Sequence, residues 1–261
     1  MAIPPEISVL IQSSGNSFHA KVARWFQAHG WHTQISPYYM DQTQDKAREL
    51  DLVAEKVWPI HAHFNQRYGD VVVRLFIECK FVGADAVFWF TPKNMQQAKN
   101  LVCRTLPFRS DNLYTDKHHY LTGKQRVAKL FATAGTKGTD SDPFFKALNQ
   151  ALNATLAMRA LSATHPSLAD RRGTRLVKLS YPVVVCSSFG RMYATDFFGD
   201  AEPEVIGDNF LMEVEYAYFD QGGNPRNELF LLDFVDFAKL EQFENAIEEE
   251  VRAAAYLAST G

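Results

Sequence analysis

Two short stretches, Arg48-Glu49-Leu50-Asp51-Leu52-Val53 and Arg74-Leu75-Phe76-Ile77-Glu78-Cys79-Lys80, decide how this 261-residue chain is read. Successive side chains of an extended strand face opposite sides. In the first stretch Leu50 and Leu52 then share one face, and Glu49 and Asp51 the other. In the second, Leu75, Ile77 and Cys79 share one face, and Glu78 and Lys80 the other. If the two strands pair, carboxylates and an ammonium meet on one surface of a sheet. Unpaired buried charge is costly, and neighbouring carboxylates repel. A divalent cation relieves both problems, and Asp51 and Glu78 offer the hard oxygen ligands that suit Mg²⁺. Lys80 beside the ion could orient a water and stabilise negative charge on a phosphoryl group under attack. The plain alternative is a salt-bridge ladder of Glu49, Asp51, Glu78 and Lys80 on a solvated sheet face.

Outward from these strands, Phe18, Val22, Trp25 and Phe26 recur at helical spacing and predict a helix over residues 17–29, capped by Asn16 or Ser17 and ended by Gly30. Strand-like runs follow at residues 31–39, 48–54, 70–82 and 86–90. The segment between the two motif strands, 57–68, reads as a hairpin insertion, with a helical form as the alternative. Helices are expected at 94–104, 123–134 and 143–161, the last with Pro143 at its start. Residues 107–118 and 135–142 read as loops. Strands return at 176–186, 210–219 and 228–234, and a helix over 238–257 closes the chain. This order predicts an α/β fold in which a mixed central sheet is flanked by helices. No linker stands out, so 1–261 is read as a single domain, with a core at about 1–105 and helical and strand additions, including C-terminal strands and a helix, over 106–261.

The composition sets outer bounds. Hydrophobic residues make up 46% and charged residues 22%, which fits a globular chain, and the 20 phenylalanines predict an aromatic core. A net charge of -3 argues against a protein that coats nucleic acid without specificity, but leaves room for a locally basic groove. The three cysteines, Cys79, Cys103 and Cys186, form neither a disulfide framework nor a CxxC zinc pair. No basic segment precedes the short apolar run at residues 7–11, and no apolar stretch reaches transmembrane length. The expectation is a cytoplasmic protein with no membrane span.

The strand pair Arg48-Glu49-Leu50-Asp51 and Glu78-Cys79-Lys80 resembles the PD-(D/E)xK nuclease superfamily. The helix ending in His29-Gly30-Trp31 is similar to the first helix of restriction-endonuclease-like domains related to Mrr enzymes and Holliday-junction resolvases. The resemblance covers roughly the first 105 residues. It implies a restriction-endonuclease-like fold and hydrolysis of phosphodiester bonds with Mg²⁺ or Mn²⁺, most often in DNA, in restriction, repair or defence. It implies Asp51 and Glu78 as metal ligands, joined by the main-chain carbonyl of Cys79, with Lys80 as the catalytic lysine. Many members carry a glutamate near the start of the first helix; this chain has His19 after Phe18, so His19 becomes a candidate ligand or base. The Pro of the signature is absent, since position 50 is Leu. A decayed site on the same fold, serving to bind nucleic acid or a partner, is the rival reading; a homo-oligomer or a partner protein stays open.

Several other groups were candidates. Glu49 could hold a second cation or pair with Arg48 or Lys80. Gln96 and Gln97 could support the lysine, or be exposed. His118, His119, Lys117, Lys124, Arg126, Lys129 and Lys137 lie in a segment without acids, as a phosphate-contacting surface or a solvated basic face. Arg171, Arg172, Arg175 and Lys178 form a second basic group with the same two readings. His61 and His63 read as loop histidines. Glu241, Glu244 and residues 248–250 read as a solvated acidic helix face, and Asp233 and Asp236 as a strand end leading into a helix.

Overall fold

The run at residues 71–77, apolar except for Arg74, forms the middle of a long strand, buried on both faces as expected for a strand covered by helices above and below. The computed structural model describes residues 4–41, 46–61, 67–105, 112–123, 125–137, 141–168, 175–220 and 222–260. Its helices are α1 (Pro5–Ser13), α2 (Gly15–Ala28), α3 (Met95–Thr105), α4 (Asn112–Thr115), α5 (Pro143–Met158) and α6 (Leu240–Thr260). Its strands are β1 (His32–Ile35), β2 (Tyr38–Asp41), β3 (Lys46–Glu49), β4 (Leu52–His61), β5 (Arg67–Lys80), β6 (Ala86–Pro92), β7 (Arg126–Thr133), β8 (Arg175–Cys186), β9 (Met192–Asp196), β10 (Glu204–Val205), β11 (Phe210–Phe219) and β12 (Pro225–Asp236).

Ten strands join in one mixed sheet in the order β1-β4-β5-β8-β12-β11-β7-β6-β9-β10, and β2 and β3 form a separate ribbon. The early strands β1, β4 and β5 make an antiparallel meander, and β8 and β12 continue it in parallel with β5. One face of the sheet, with Leu52, Leu75, Ile77, Val183 and Val185, packs against Phe18, Val22 and Phe26 of α2 and Ile247, Val251 and Ala254 of α6. The other face packs against α5 through Phe144, Leu148 and Leu152, with Phe88, Phe210 and Phe234 in edge-to-face and stacked contact. The phenylalanines therefore concentrate in the second-half core. Among the described residues no helix is long and apolar enough to cross a membrane.

Three expectations need correction. The predicted helix at 123–134 is a strand, β7, paired with β6 and touching β11 at Met212–Ala128. Its Ala, Lys and Leu residues favour a helix locally, but pairing with two neighbours decides the outcome. The predicted strand at 48–54 is two strands: β3 ends at Glu49, the chain bends at Asp51, and β4 starts at Leu52. Backbone bonds from Ser36 N–H to the Asp51 carbonyl (2.9 Å) and from Leu50 N–H to the Pro37 carbonyl (3.0 Å) hold that bend. The strand at 31–39 divides likewise into β1 and β2, at Ser36, whose φ is +52°. The helix α1 and the strands β9 and β10 were not anticipated.

Candidate active site

The bend at Asp51 builds the site. Leu52 pairs with Ile77, and the ladder between β4 and β5 stops there. Just beyond it, the Asp51 side chain takes the place of a strand partner: its carboxylate accepts a 2.7 Å hydrogen bond from the Cys79 N–H. The Asp51 N–H in turn donates to Glu78 Oε1 at 3.4 Å. Lys80, two residues on and on the same face of β5 as Glu78, places its Nζ 3.3 Å from Glu78 Oε2. Past Lys80, the Ser187 N–H donates to the Lys80 carbonyl (2.9 Å) and the Val82 N–H to Ser187 Oγ (3.0 Å), which fixes the strand end. Asp51, Glu78 and Lys80 thus come together at the carboxyl end of β5, which runs parallel to β8 and through it to β12. Crevices at such strand ends are where open α/β sheets present their chemistry.

Glu78 is almost completely buried, while Asp51 and Lys80 are partly exposed. Burial, reinforced by the Asp51 charge, pushes the Glu78 carboxyl up to about 8, against the weaker opposing pull of Lys80. Without a cation, one proton at neutral pH resolves the conflict between the two acids. Cys79 shows its side chain to the core and only its backbone to the site, and burial raises its thiol well above the ordinary range, so it stays protonated. A residue whose N–H points to one edge of a strand sends its carbonyl to the same edge. The Cys79 carbonyl therefore faces the Asp51 side.

Glu49 does not share a face with Asp51, because the chain bends between them. It sits exposed on the ribbon, accepting from the Tyr38 hydroxyl at 3.1 Å, and bonds from Ser36 and Tyr38 lower its pKa. His19, on the second turn of α2, contributes to lowering Glu49 and so lies near it; its Nε2 is buried without a hydrogen-bond partner among the described residues. Tyr39 and Asp41 were missed in the sequence. Tyr39, whose hydroxyl donates to the Gln150 carbonyl (3.2 Å), is raised by burial and by the charges of Asp41 and Glu78. Buried Asp41 pairs with Arg48 (2.5 Å). An alternating polar residue in a short strand gave little signal for either.

The two histidines of the acidless segment do not belong to a basic face, although Lys117, Arg126 and Lys137 are exposed. His118 and His119 are buried against acids of remote elements. His119 is held between Glu250 (Nδ1 to Oε2, 2.7 Å) and Asp233 (Nε2 to Oδ2, 3.0 Å). Burial opposes its charged form, yet the two carboxylates outweigh this and raise it to about 9. Burial lowers His118 to about 4. Glu250 also accepts from Tyr114 (2.6 Å) and Tyr181, and despite burial the imidazoles hold it at about 2. The acidic face expected on α6 is therefore partly core: Glu250 is buried, and buried Glu244 accepts from Trp31 Nε1 (2.7 Å) and Lys56 (2.8 Å). Asp236 does cap a turn, accepting from the Ala238 N–H (2.9 Å), but Asp233 belongs to the His119 cluster.

His118, His119 and Glu250 are the one group of three among the described residues whose ligand atoms lie within 4.8 Å of one another. Proton placement argues against an ion there. The Tyr120 N–H donates to His118 Nδ1 (3.0 Å), so the His118 proton sits on Nε2, the atom facing Glu250. With both nitrogens of His119 on carboxylates, the network closes on protons alone. Gln96 and Gln97 are exposed, Lys129 pairs with Glu213, and Lys178 donates to the Leu161 carbonyl (3.2 Å). His61 is exposed; His63, Lys124, Arg171 and Arg172 lie outside the described residues. No family model, curated protein or solved structure matches this chain.

Proposed function

We propose that the protein is a metal-dependent nuclease with a restriction-endonuclease-like fold, hydrolysing phosphodiester bonds in nucleic acid, with DNA the substrate class that the PD-(D/E)xK resemblance favours. One observation carries the reading: Asp51 docks on the Cys79 N–H so that its carboxylate adjoins the buried Glu78 carboxyl, with Lys80 on the same side. The donor set fits Mg²⁺ or Mn²⁺. It offers two carboxylates and a carbonyl facing them, and the Glu78 proton is what a cation would displace.

Asp51, Glu78 and the Cys79 carbonyl would hold the ion, which when bound supplies a Lewis acid and lowers the pKa of a water. The chain's own residues do the rest. The Cys79 N–H fixes the Asp51 rotamer. Lys80, released from Glu78 once that carboxylate has another partner, is placed to stabilise charge building on the scissile phosphate and to orient the attacking water. His19 and Glu49, next to each other at the margin, modulate the site rather than carry it.

The test is incubation with linear duplex, circular duplex and single-stranded DNA, in Mg²⁺, in Mn²⁺ and in EDTA. Cleavage with either metal, absent in EDTA and in Asp51→Ala, is expected. Metal-independent cleavage, or cleavage unchanged in Asp51→Ala, overturns the proposal. A binding module of the same fold is favoured by one feature, the direct Lys80–Glu78 pair, which satisfies both groups without catalysis. DNA binding with no cleavage under any of these conditions would select it.

A further inference from the structure

The central sheet is not closed along its length. β8 and β12 pair only from Val183–Asp233 to Cys186–Asp236. Before that point their facing edges run apart, and Pro182, which has no N–H to donate, sits immediately ahead of the paired stretch. The opening is a cavity of about 370 Å³, within the range of small-ligand sites. Its wall carries three cations, Arg104, Arg159 and Lys178, against one acid, Glu228. Arg159 is committed to Glu228 by two 3.1 Å bonds. Arg104 is exposed and makes no hydrogen bond or ion pair among the described residues, its charge acting at longer range on Glu228.

Two hydroxyls lining the opening make no hydrogen bond among the described residues, although the charges of Asp233 and Glu250 act on the Tyr120 phenol. Tyr120 is buried, with its ring packed on His119 and Tyr181, yet its phenol makes no hydrogen bond among the described residues. Ser180 Oγ likewise makes none. Buried phenols normally find a partner, so one facing a cavity is a donor in wait of an acceptor. The site is separate from the candidate nuclease centre: Ser180 lies opposite Arg74, whereas Glu78 lies opposite Val184.

We propose that the gap between β8 and β12 binds a small organic anion, a phosphate or carboxylate on a compact apolar body. The anion meets Arg104, Lys178 and the hydroxyls of Tyr120 and Ser180, and its body rests on Leu101, Tyr181 and Phe230. Two cations outside any ion pair among the described residues, Arg104 and Lys178, the latter also donating to the Leu161 carbonyl, together with two neutral donors match an acceptor-only group that a neutral ligand cannot imitate.

Thermal unfolding and calorimetric titration of the full chain with phenyl phosphate, phenylacetate and neutral benzyl alcohol test this and distinguish the two anions. At least one anion is expected to raise the unfolding temperature saturably, with benzyl alcohol inert at about 10 mM. Lys178→Ala and Arg104→Ala should each weaken that anion about tenfold, and Tyr120→Phe, which keeps the ring, by a smaller factor. The ligand-free unfolding temperature of each variant monitors its fold. The proposal is overturned if neither anion binds, if the alcohol binds equally well, or if all three folded variants keep the wild-type affinity.

Discussion

Glu78 is the residue on which the proposed site turns, because its proton is what a bound cation would displace. Its folded pKa, about 8, is above the ordinary glutamate value of 4.5. The folded chain therefore holds a proton that the unfolded chain releases. This contribution to stability is full below pH 4.5 and is lost as pH rises through about 8. On the proposed reading a divalent metal would have to expel that proton, so affinity for Mn²⁺ should rise with pH until about 8 and then level off. Calorimetric titration in buffers of different ionisation enthalpy should show proton release at pH 7, absent in Glu78→Gln, which should also bind Mn²⁺ more weakly. Equal proton release by the two proteins would remove Glu78 from the metal shell. The pairing of Glu78 and Lys80 on one face was legible from strand alternation alone. The place of Asp51 was legible only in part, because it reaches Cys79 from a bend and not from the strand that its apolar neighbours suggested.

At the level of elements, α6 and the loop before β7 are locked by His119. Its folded pKa is raised to about 9 from 6.5. The lock is fully present below pH 6.5 and is lost as pH rises through about 9. Thermal unfolding followed between pH 6.5 and 9.5 should fall with pH in the wild type, and the fall should be shallower in His119→Gln. Parallel curves would show that His119 is not the titrating group. The sequence could not show this lock. His119 meets Asp233 and Glu250 across more than a hundred residues, so the helix carrying Glu250 looked like a solvated acidic face. The same lack of long-range information explains β7, whose helix-forming residues are overruled by the strands on either side. The helices α2 and α5 were legible because their signals are local: the apolar stripe of α2 with Gly30 after it, at φ +78°, and Pro143 at the start of α5; the N-cap expected at Asn16 or Ser17 instead falls inside α2, which begins at Gly15.

Across the whole molecule, a buried ion pair inside the meander that carries the site also fastens that meander to the second half. Arg74 in β5 lies 2.8 Å from Glu55 in β4 and donates to the Met158 carbonyl at the end of α5 (2.7 Å). Glu55 also accepts from the Thr164 N–H (2.8 Å). Arg74→Met leaves Glu55 buried without its cation and should cost about 3–5 kcal/mol in chemical denaturation, while Arg74→Met with Glu55→Met should recover much of it. A loss below about 1 kcal/mol in the single variant would show that the pair does not join the two halves. The general α/β plan, a mixed sheet flanked by helices, was legible from the order of elements; the ten-strand order was not, since it depends on pairings between distant segments.

The central claim is that this frame holds Asp51, Glu78 and Lys80 in order to cut phosphodiesters. Single-turnover cleavage of a linear DNA duplex at saturating Mn²⁺, by the wild type and by Lys80→Ala, tests it most directly. The account predicts cleavage by the wild type and a rate lower by about 10²–10³ in Lys80→Ala, with Mn²⁺ affinity retained. Equal rates in the two proteins, or no cleavage by the wild type, would contradict it.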